Sequence, residues 1–270
     1  MVNCVGSIAN PVTSSLIVGC GYIGSALSRL LVDNDQDVYG VSRSGVDLDG
    51  VTSLERDVTD PPFDLPDVDH VYYLVSASSR DSAGYRAAYV DGLINTIDAI
   101  GDATLVYASS TGVYEVEDGS WVDERTDLDP MSDRSRILLE AEDIARDAAG
   151  TVVRFAGLYG PGRTGEDRYL DDARVPAGFL NLLHRDDAAS ALLAARDGPD
   201  DTYLAVDDEP VHRHELARWL ADYTGRPAGT LVDAIERSNK RCSNARLRST
   251  GWSPDYPTYR EGYAHALSDG

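Results

Sequence analysis

The sequence predicts an α/β fold in which a doubly wound, mostly parallel sheet carries a small C-terminal lobe. Short apolar runs alternate with amphipathic stretches through the N-terminal half, and a glycine-rich turn joins the first run to the first amphipathic stretch. The 270 residues suffice for one large domain, or for a domain with a lobe. Alternating strands and helices imply right-handed crossovers, which cover both faces of a parallel sheet.

Strands are assigned to continuous apolar runs, and helices to apolar residues that recur every three or four positions. The strands are expected at Ser15–Gly19, Asp37–Val41, Val51–Leu54, His70–Val75, Ala103–Ala108, Thr151–Arg154 and Thr202–Val206. The helices are expected at Tyr22–Val32, Tyr85–Ile100, Ser132–Ala149, Asp186–Arg196, His212–Thr224, Asn244–Thr250 and Tyr259–Leu267. The stretch Gly157–Asp172 is rich in Gly, Arg and Asp and is predicted to be a loop.

The chain is strongly acidic, with 46 Asp+Glu against 24 Lys+Arg and a net charge of -22. Repulsion from phosphates argues against a nucleic-acid partner and against an anionic membrane surface. An Asp-rich composition with Lys240 as the single lysine resembles cytosolic proteins of salt-accumulating, halophilic microbes, although an ordinary acidic protein remains the alternative. The strand segments carry few acids, so we expect the acidity to be confined to the surface.

Nothing in the sequence indicates a disulfide framework, a metal site or a membrane segment. The three cysteines form no CxxC motif, and His184, His212 and His214 lack metal-ligand spacing, so we expect them at helix starts and on the surface. Asp207–Glu209 is predicted to be a solvated turn. Residues 1–13 do not resemble a secretory signal, and no stretch reaches the roughly 20 apolar residues that span a bilayer. We therefore predict a cytoplasmic protein.

The first strand leads directly into a glycine-rich turn of sequence GCGYIG. Gly19 permits a tight turn, Gly21 lets the backbone approach a pyrophosphate, and Gly24 allows the helix to pack closely on the strand. Tyr22 and Ile23 begin the helix, whose free N–H groups and positive dipole end favour phosphate. The position between a strand and a helix favours a dinucleotide site over a glycine turn without chemistry.

This turn defines the predicted domains. We expect a dinucleotide-binding Rossmann-type domain over residues 14–160, and an N-terminal extension over residues 1–13. Residues 161–270 are expected to form the small substrate lobe and the closing elements of the sheet.

The end of the second strand predicts which dinucleotide binds. A site for NAD places an acid there to hold the ribose 2′-hydroxyl, whereas a site for NADP places an arginine near the 2′-phosphate. No acid lies between Val38 and Val46, and the strand runs into Ser42, Arg43 and Ser44. Arg43 can hold a phosphate with two hydrogen bonds, and the serines can donate. We therefore favour NADP; in the alternative, NAD binds and Arg43 is a solvated charge.

Five further blocks lie at strand ends or helix starts. They are Arg56–Val58, Leu74–Ala77, Val106–Tyr114, Arg154–Gly162 and Leu183–Ala189. Together they resemble the extended short-chain dehydrogenase/reductase family, the NAD-dependent epimerase/dehydratase group, over most of the chain. The SSTGVY and RFAGLYGPG segments are more specific than the glycine turn alone.

The resemblance implies roles for individual residues. It implies that Asp57 and Val58 flank the adenine and that Ser110 hydrogen-bonds the substrate oxygen. The resemblance further places Val75, Ser76 and Ala77 beside the cofactor ribose, and Ala156, Gly157 and Leu158 near the nicotinamide. It also implies a homodimer formed through the second and third long helices.

The family's catalytic tyrosine and lysine are missing. In the family the phenol is the general acid/base, and a lysine four residues on lowers its pKa. Those positions are Ser132 and Arg136 here; an aliphatic hydroxyl is a poorer proton relay, and arginine keeps the charge but cannot act as a base. Tyr89 stands where the family usually has Asn. These departures resemble an atypical branch of the group. Further tyrosines are expected to pack in the core: Tyr72, Tyr73, Tyr107, Tyr114 and Tyr159.

The predicted lobe is short. Few residues separate Gly162 from His184, which argues against a nucleotide-sugar substrate. Arg163, Arg168 and Arg174 are either anchors for an anion or members of a solvated ion-pair network.

Two functions remain open from the sequence. The first is an NAD(P)-dependent oxidoreductase or epimerase/dehydratase-like enzyme for a small carbonyl or sugar-like compound. Ser110 would orient the substrate oxygen, and the proton would come through Ser132, water or the substrate. The second is a non-catalytic NADP-binding sensor or assembly subunit. We favour the enzyme, although the missing tyrosine supports the second function.

Overall fold

The computed structural model describes residues 12–79, 81–235 and 238–268, so the extension predicted over residues 1–13 lies almost wholly outside the described residues. The strands are β1 (Ser14–Val18), β2 (Asp37–Ser42), β3 (Val51–Glu55), β4 (His70–Tyr73), β5 (Thr104–Ser110), β6 (Trp121–Val122), β7 (Thr151–Phe155), β8 (Gly157–Tyr159), β9 (Arg174–Pro176), β10 (Phe179–Leu180), β11 (Leu182–His184), β12 (Thr202–Ala205), β13 (Val211–His212), β14 (Thr230–Val232) and β15 (Arg241–Cys242). The helices are α1 (Tyr22–Val32), α2 (Ser82–Arg86), α3 (Gly92–Ile97), α4 (Asp133–Asp147), α5 (Arg185–Arg196), α6 (Arg213–Thr224), α7 (Ala245–Arg248) and α8 (Tyr259–Ser268). A π-helical turn at Ala87–Asp91 joins α2 to α3, and 3₁₀ turns cover Thr111–Val113 and Glu166–Arg168.

Seven strands form one parallel sheet in the order β12-β7-β5-β4-β1-β2-β3. The strand order reverses between β1 and β4, and in open α/β sheets ligands bind outside the carboxyl ends of the strands at such a reversal. The glycine turn follows β1 directly. The predicted doubly wound Rossmann-type fold is therefore confirmed, with its binding crevice at the glycine turn.

Both faces of the sheet are covered, because alternate strand residues point to opposite sides. Tyr72 and Tyr73 are neighbours in β4, and each is fully buried in a different core. One core contains α1 and α5, and the other contains α3 and α4. The five tyrosines that the sequence assigned to the core are all buried, as predicted.

The C-terminal residues build a lobe from short strand pairs. β8 pairs with β11, β9 with β14 and β10 with β13. The core of this lobe is formed by Tyr159, Leu170, Leu216, Leu220 and Tyr263, which brings α6 and α8 together beside β8. Within the described residues, no helix has the length and apolar character required to cross a membrane.

Two element predictions need correction. The second long helix begins at Ser82, because the Asp81 side chain caps it by accepting a hydrogen bond from the Gly84 amide at 2.7 Å, and it ends at Ile97. The stretch Gly157–Asp172, predicted to be a loop, contains β8 and a 3₁₀ turn.

The prediction that acids are confined to the surface is wrong. Glu142, Asp187 and Asp207 are at most 2% exposed. Glu142 accepts a hydrogen bond from the Arg154 guanidinium at 2.6 Å, which explains how its charge is accommodated. Asp207 is buried although Asp207–Glu209 was expected to be a solvated turn, because its amide donates to the Leu182 carbonyl at 2.8 Å and so holds the start of the turn against β11.

His184 begins α5 as predicted, but it is fully buried rather than on the surface. Its ring lies between those of Tyr159 and Tyr256, with centroid distances of 5.6 and 3.9 Å. Burial is the main cause that lowers its pKa to about 4.

Candidate active site

The three glycines of the turn differ in what an added side chain would meet. Gly19 has a φ of 94°, and a Cβ there would lie 2.7 Å from the Val75 amide nitrogen. A Cβ at Gly24 would lie 2.7 Å from the Gly19 carbonyl oxygen, so only glycine allows α1 to approach β1 this closely. A Cβ at Gly21 would meet no atom within 4 Å. Packing therefore requires glycine at positions 19 and 24, whereas the space that a side chain would fill at Gly21 is open.

The N-terminus of α1 has the properties of an anion site. Gly21 is its N-cap, and among the described residues no side chain caps the helix and no acid lies in its first turn. Tyr22 lies under two cations, because the Arg163 and Arg185 guanidinium carbons are each 5.4 Å from its ring centroid. Open space at Gly21, uncapped N–H groups and nearby cations fit the pyrophosphate of a dinucleotide.

The end of β2 presents the predicted 2′-phosphate residues. The Ser42 hydroxyl donates to the Gly45 carbonyl at 2.5 Å and so shapes the turn. Arg43 and Ser44 are exposed. Arg43 makes no ion pair within the described part of the chain, and its charge helps to lower the pKa of Asp57, whose main cause is hydrogen bonding to Thr59. The Arg43 guanidinium is therefore available beside the adenine residues implied by the resemblance.

The residues implied to line the adenosine lie along the carboxyl edge. Asp57 follows β3 and accepts from the Thr59 amide at 3.0 Å, and Val58 is buried beneath it. Val75 and Ala77, which follow β4, are half-buried, and Ser76 is exposed.

Ser110 ends β5 and is half-buried. Its hydroxyl oxygen accepts a hydrogen bond from the Gly112 amide at 3.0 Å, and it caps the 3₁₀ turn that follows. Because a hydroxyl can accept one bond and donate its proton elsewhere, this contact orients Ser110 without occupying its donor.

Ser132 and Arg136, which take the family's tyrosine and lysine positions, have structural partners. Ser132 is the N-cap of α4, where its hydroxyl oxygen accepts from the Ser135 amide at 3.2 Å, and its own amide donates to Glu115 at 3.2 Å. Arg136 is exposed and pairs with Asp133 at 3.1 Å. The helix start itself is therefore well ordered by polar contacts.

Two tyrosines and an arginine that the sequence did not single out as a group meet beside these residues. The rings of Tyr85 and Tyr89, one helical turn apart, are 4.5 Å apart, and the Arg134 guanidinium lies 5.6 Å from the Tyr85 ring. Both tyrosines pack against the cores of both sheet faces, so they cross the carboxyl edge of the sheet. Tyr89 also interacts with the backbone of Ala77, which follows β4.

The two phenols are electrostatically linked. The pKa of Tyr89 is raised to about 12, and the pKa of Tyr85 is raised above its ordinary value. Burial is the largest cause of both shifts. A hydrogen bond from Tyr89 and the charge of Arg134 act in the opposite direction on Tyr85. The i, i+4 spacing of two tyrosines was a visible signal, but the approach of Arg134 from another helix was not.

A cavity of about 200 Å³ lies within the lobe, beside β8. Gly157 and Leu158, two of the residues implied to lie near the nicotinamide, form part of its wall; Ala156 precedes them and is buried. Its cationic side chains are Arg163, Arg168, Arg174 and Arg213, and we call it the arginine pocket.

The fold and the crevice define a dinucleotide-binding protein of the Rossmann type. Residues 15–199 match the model of the NAD dependent epimerase/dehydratase family, and the chain belongs to this family. Membership in the extended short-chain dehydrogenase/reductase family, inferred above as a resemblance, is therefore confirmed.

Three known proteins are similar to the chain. A protein of Methylobacillus flagellatus assigned to the NAD-dependent epimerase/dehydratase class is 30% identical, with 95% of this chain and 98% of that chain covered at a TM-score of 0.77. Protein YeeZ of Escherichia coli is 28% identical over 73% of this chain and 77% of its own length. A 3-diazoavenalumate denitrifying reductase of a Streptomyces species is 35% identical over 43% of this chain and 46% of its own length. Family and relatives together support a general NAD(P)-dependent oxidoreductase or epimerase activity with a nicotinamide cofactor.

Proposed function

We propose that the protein is an NADP-dependent oxidoreductase for a small carbonyl or sugar-like compound, and an atypical family member that works without the tyrosine and lysine pair. The observation that carries the proposal is the open space at Gly21 above an uncapped helix N-terminus, flanked by Arg163 and Arg185. These groups would hold the pyrophosphate.

The preference for NADP rests on Arg43. It is exposed at the end of β2, where the alternative cofactor requires a carboxylate, and its guanidinium fork matches a phosphate. NAD remains compatible with the glycine turn, so the choice between the two cofactors depends on this residue.

The bound nicotinamide would supply or accept the hydride. Ser110 would hold the substrate oxygen, because its donor is not needed for the turn that its oxygen caps. Since the Ser132 hydroxyl caps α4 and also lies 3.0 Å from the Ser135 hydroxyl, we assign proton donation to Tyr85 and Tyr89, whose ring centroids are 4.5 Å apart. A phenol with a raised pKa can still donate to an alkoxide that forms on the carbonyl oxygen, and solvent then returns the proton.

Several sequence expectations extend this proposal. The composition supports a protein adapted to molar salt. The acidic charge favours a small-molecule substrate over nucleic acid or a membrane surface. The cytoplasmic location remains a proposal. The division into a dinucleotide domain and a substrate lobe at about residue 160, and a homodimer formed through α3 and α4, also remain proposals.

The test is a fluorescence titration of the full chain with NADPH and NADH in molar KCl. We expect tighter binding of NADPH, and we expect Arg43→Gln to weaken NADPH binding about tenfold while leaving NADH binding unchanged, as for one lost charged hydrogen bond. Arg29→Gln is the control, because Arg29 is exposed at the far end of α1 and its replacement changes the net charge by the same amount. Tighter binding of NADH by the wild-type chain would contradict the NADP assignment, and absence of hydride transfer to any small carbonyl would favour the sensor function.

A further inference from the structure

The arginine pocket differs in charge from the rest of the molecule. Acidic residues make up 46 of the 270 residues of the chain, yet none of the described residues that line the pocket is acidic. Four arginines line it. A cavity lined by one sign of charge within low-dielectric walls concentrates the field inside it and attracts ions of the opposite sign.

Three acids close in sequence to Arg163 and Arg168 are engaged elsewhere. Asp167 and Asp171 pair with Arg226, at 2.7 and 2.5 Å, and Glu166 accepts a hydrogen bond from Thr164. These acids belong to the same segment as Arg163 and Arg168. The segment therefore presents Arg163 and Arg168 to the pocket while these three acids are held by other partners.

Two of the four arginines are not explained by a surface ion-pair network. Over residues 12–79, 81–235 and 238–268, neither Arg163 nor Arg168 forms a salt bridge. Arg213 is only 6% exposed, and its guanidinium donates to the carbonyls of Ala177 at 3.1 Å and Ser238 at 3.2 Å. A buried cation is costly unless charged or polar groups compensate it, and these carbonyls hold the Arg213 guanidinium in place at the pocket wall.

The pocket adjoins the cofactor crevice. Arg163 stacks on Tyr22, the residue that follows Gly21, and Gly157 and Leu158 form the wall on the side implied to face the nicotinamide. Its volume of about 200 Å³ is below the roughly 300–1,000 Å³ of pockets that enclose drug-sized ligands. A nucleotide-sized substrate is therefore disfavoured.

We infer that the arginine pocket binds the substrate of the proposed reaction through a carboxylate or phosphate group, and that the substrate is a small organic anion. The inference rests on the proposed function, since it assigns the substrate class of the same site. Arginine suits this role because its planar fork meets both oxyanions with paired hydrogen bonds.

Binding is tested first without any reaction. Inorganic phosphate and oxalate serve as probes, titrated calorimetrically into the full chain in molar KCl at constant ionic strength. We expect saturable binding that Arg168→Gln weakens about tenfold, as for one charged hydrogen bond. Arg218→Gln is the matched control. Arg218 is exposed on α6, the helix of Arg213, and does not line the pocket, so this variant removes the same charge outside the pocket. Equal weakening by both variants, or no saturable binding, would overturn the inference.

Turnover then separates the inference from the proposed function. A 2-keto acid is compared with its methyl ester, and a hexose phosphate with its hexose, with NADPH as reductant. We expect reduction of at least one anionic member with a KM that rises about tenfold in Arg168→Gln while kcat is retained. Equal or faster reduction of the neutral member would overturn the inference and leave the oxidoreductase proposal standing. Saturable binding of phosphate or oxalate without turnover of any compound would support the pocket and contradict the proposed reaction.

Discussion

In the glycine turn, the same substitution at two positions is expected to affect stability differently. In Gly21→Ala the new methyl group meets no atom within 4 Å. In Gly19→Ala the methyl group would lie 2.7 Å from the Val75 amide nitrogen, at a φ of 94°. The first variant should keep the fold and lose the ligand, whereas the second should lose both.

The structure gives the magnitudes. At Gly19, left-handed backbone strain costs about 1–2 kcal/mol and overpacking about 1–3 kcal/mol, so the free energy of unfolding should fall by roughly 2–5 kcal/mol. At Gly21, the reduced entropy of the unfolded chain stabilises by about 0.4–1 kcal/mol and the poorer N-cap costs a similar amount, so the change should stay within about 1 kcal/mol. For a chain of this size, 1 kcal/mol corresponds to about 2–4 °C in Tm.

The assay combines thermal unfolding with NADPH titration in molar KCl. We expect Gly21→Ala to melt within about 4 °C of the wild type and to bind NADPH at least about tenfold more weakly, because the methyl group occupies the space over the N–H groups. Wild-type affinity in Gly21→Ala would refute the assignment of the pyrophosphate to this turn. A large loss of stability in the same variant would refute the packing argument.

Three further predictions concern buried and polar groups. Replacement of Tyr89 by Phe should lower kcat by about 10²-fold or more with little change in NADPH affinity, and Tyr85→Phe should lower it less if Tyr89 is the donor; unchanged kcat in both would remove the phenols from the reaction. Glu142→Gln should cost about 3–5 kcal/mol in urea unfolding, because it leaves the buried Arg154 without a countercharge; a cost near zero would show that the pair is not coupled to folding. Burial raises the pKa of Asp207 well above its ordinary value, so above a pH of about 3.9 the folded chain holds a proton that the unfolded chain releases. Stability should therefore fall by up to about 1.4 kcal/mol per pH unit between that pH and the raised pKa of the folded chain. Unfolding at several pH values in molar KCl should show a shallower slope for Asp207→Asn than for the wild type, and equal slopes would contradict this assignment.

The parts of the site predicted from sequence are those set by local contacts. The roles of Gly19 and Gly24 follow from a strand, a turn and a helix that are adjacent in the chain, so a local motif suffices to assign them. The mostly parallel, doubly wound sheet could be predicted for the same reason, because strands that alternate with helices imply right-handed crossovers. Arg43 could be placed at the end of β2 because its position relative to the turn is fixed by one βαβ unit.

The missed features depend on contacts between distant segments. Arg134 reaches Tyr85 only because α4 packs beside α2, and nothing local to either residue encodes that approach. The burial of His184 likewise depends on Tyr159 and Tyr256, which approach from β8 and from the turn before α8. Composition misled most directly at Asp207, because an Asp-Asp-Glu turn is usually solvated, and its burial comes from the lobe that covers it.

The net charge and the arginine pocket fit together in physical terms. At an ionic strength of about 0.1 M the Debye length is roughly 10 Å, so a chain of charge -22 would repel a small anion over distances comparable to the depth of the crevice. In molar salt the length is about 3 Å, and the distant carboxylates no longer act on a ligand inside the pocket. Contacts at hydrogen-bond distance are screened much less, and the guanidinium of Arg213 is shielded from solvent. The proposed adaptation to molar salt is thus compatible with an anionic substrate, provided that recognition relies on a few close arginines rather than on the field of the whole protein.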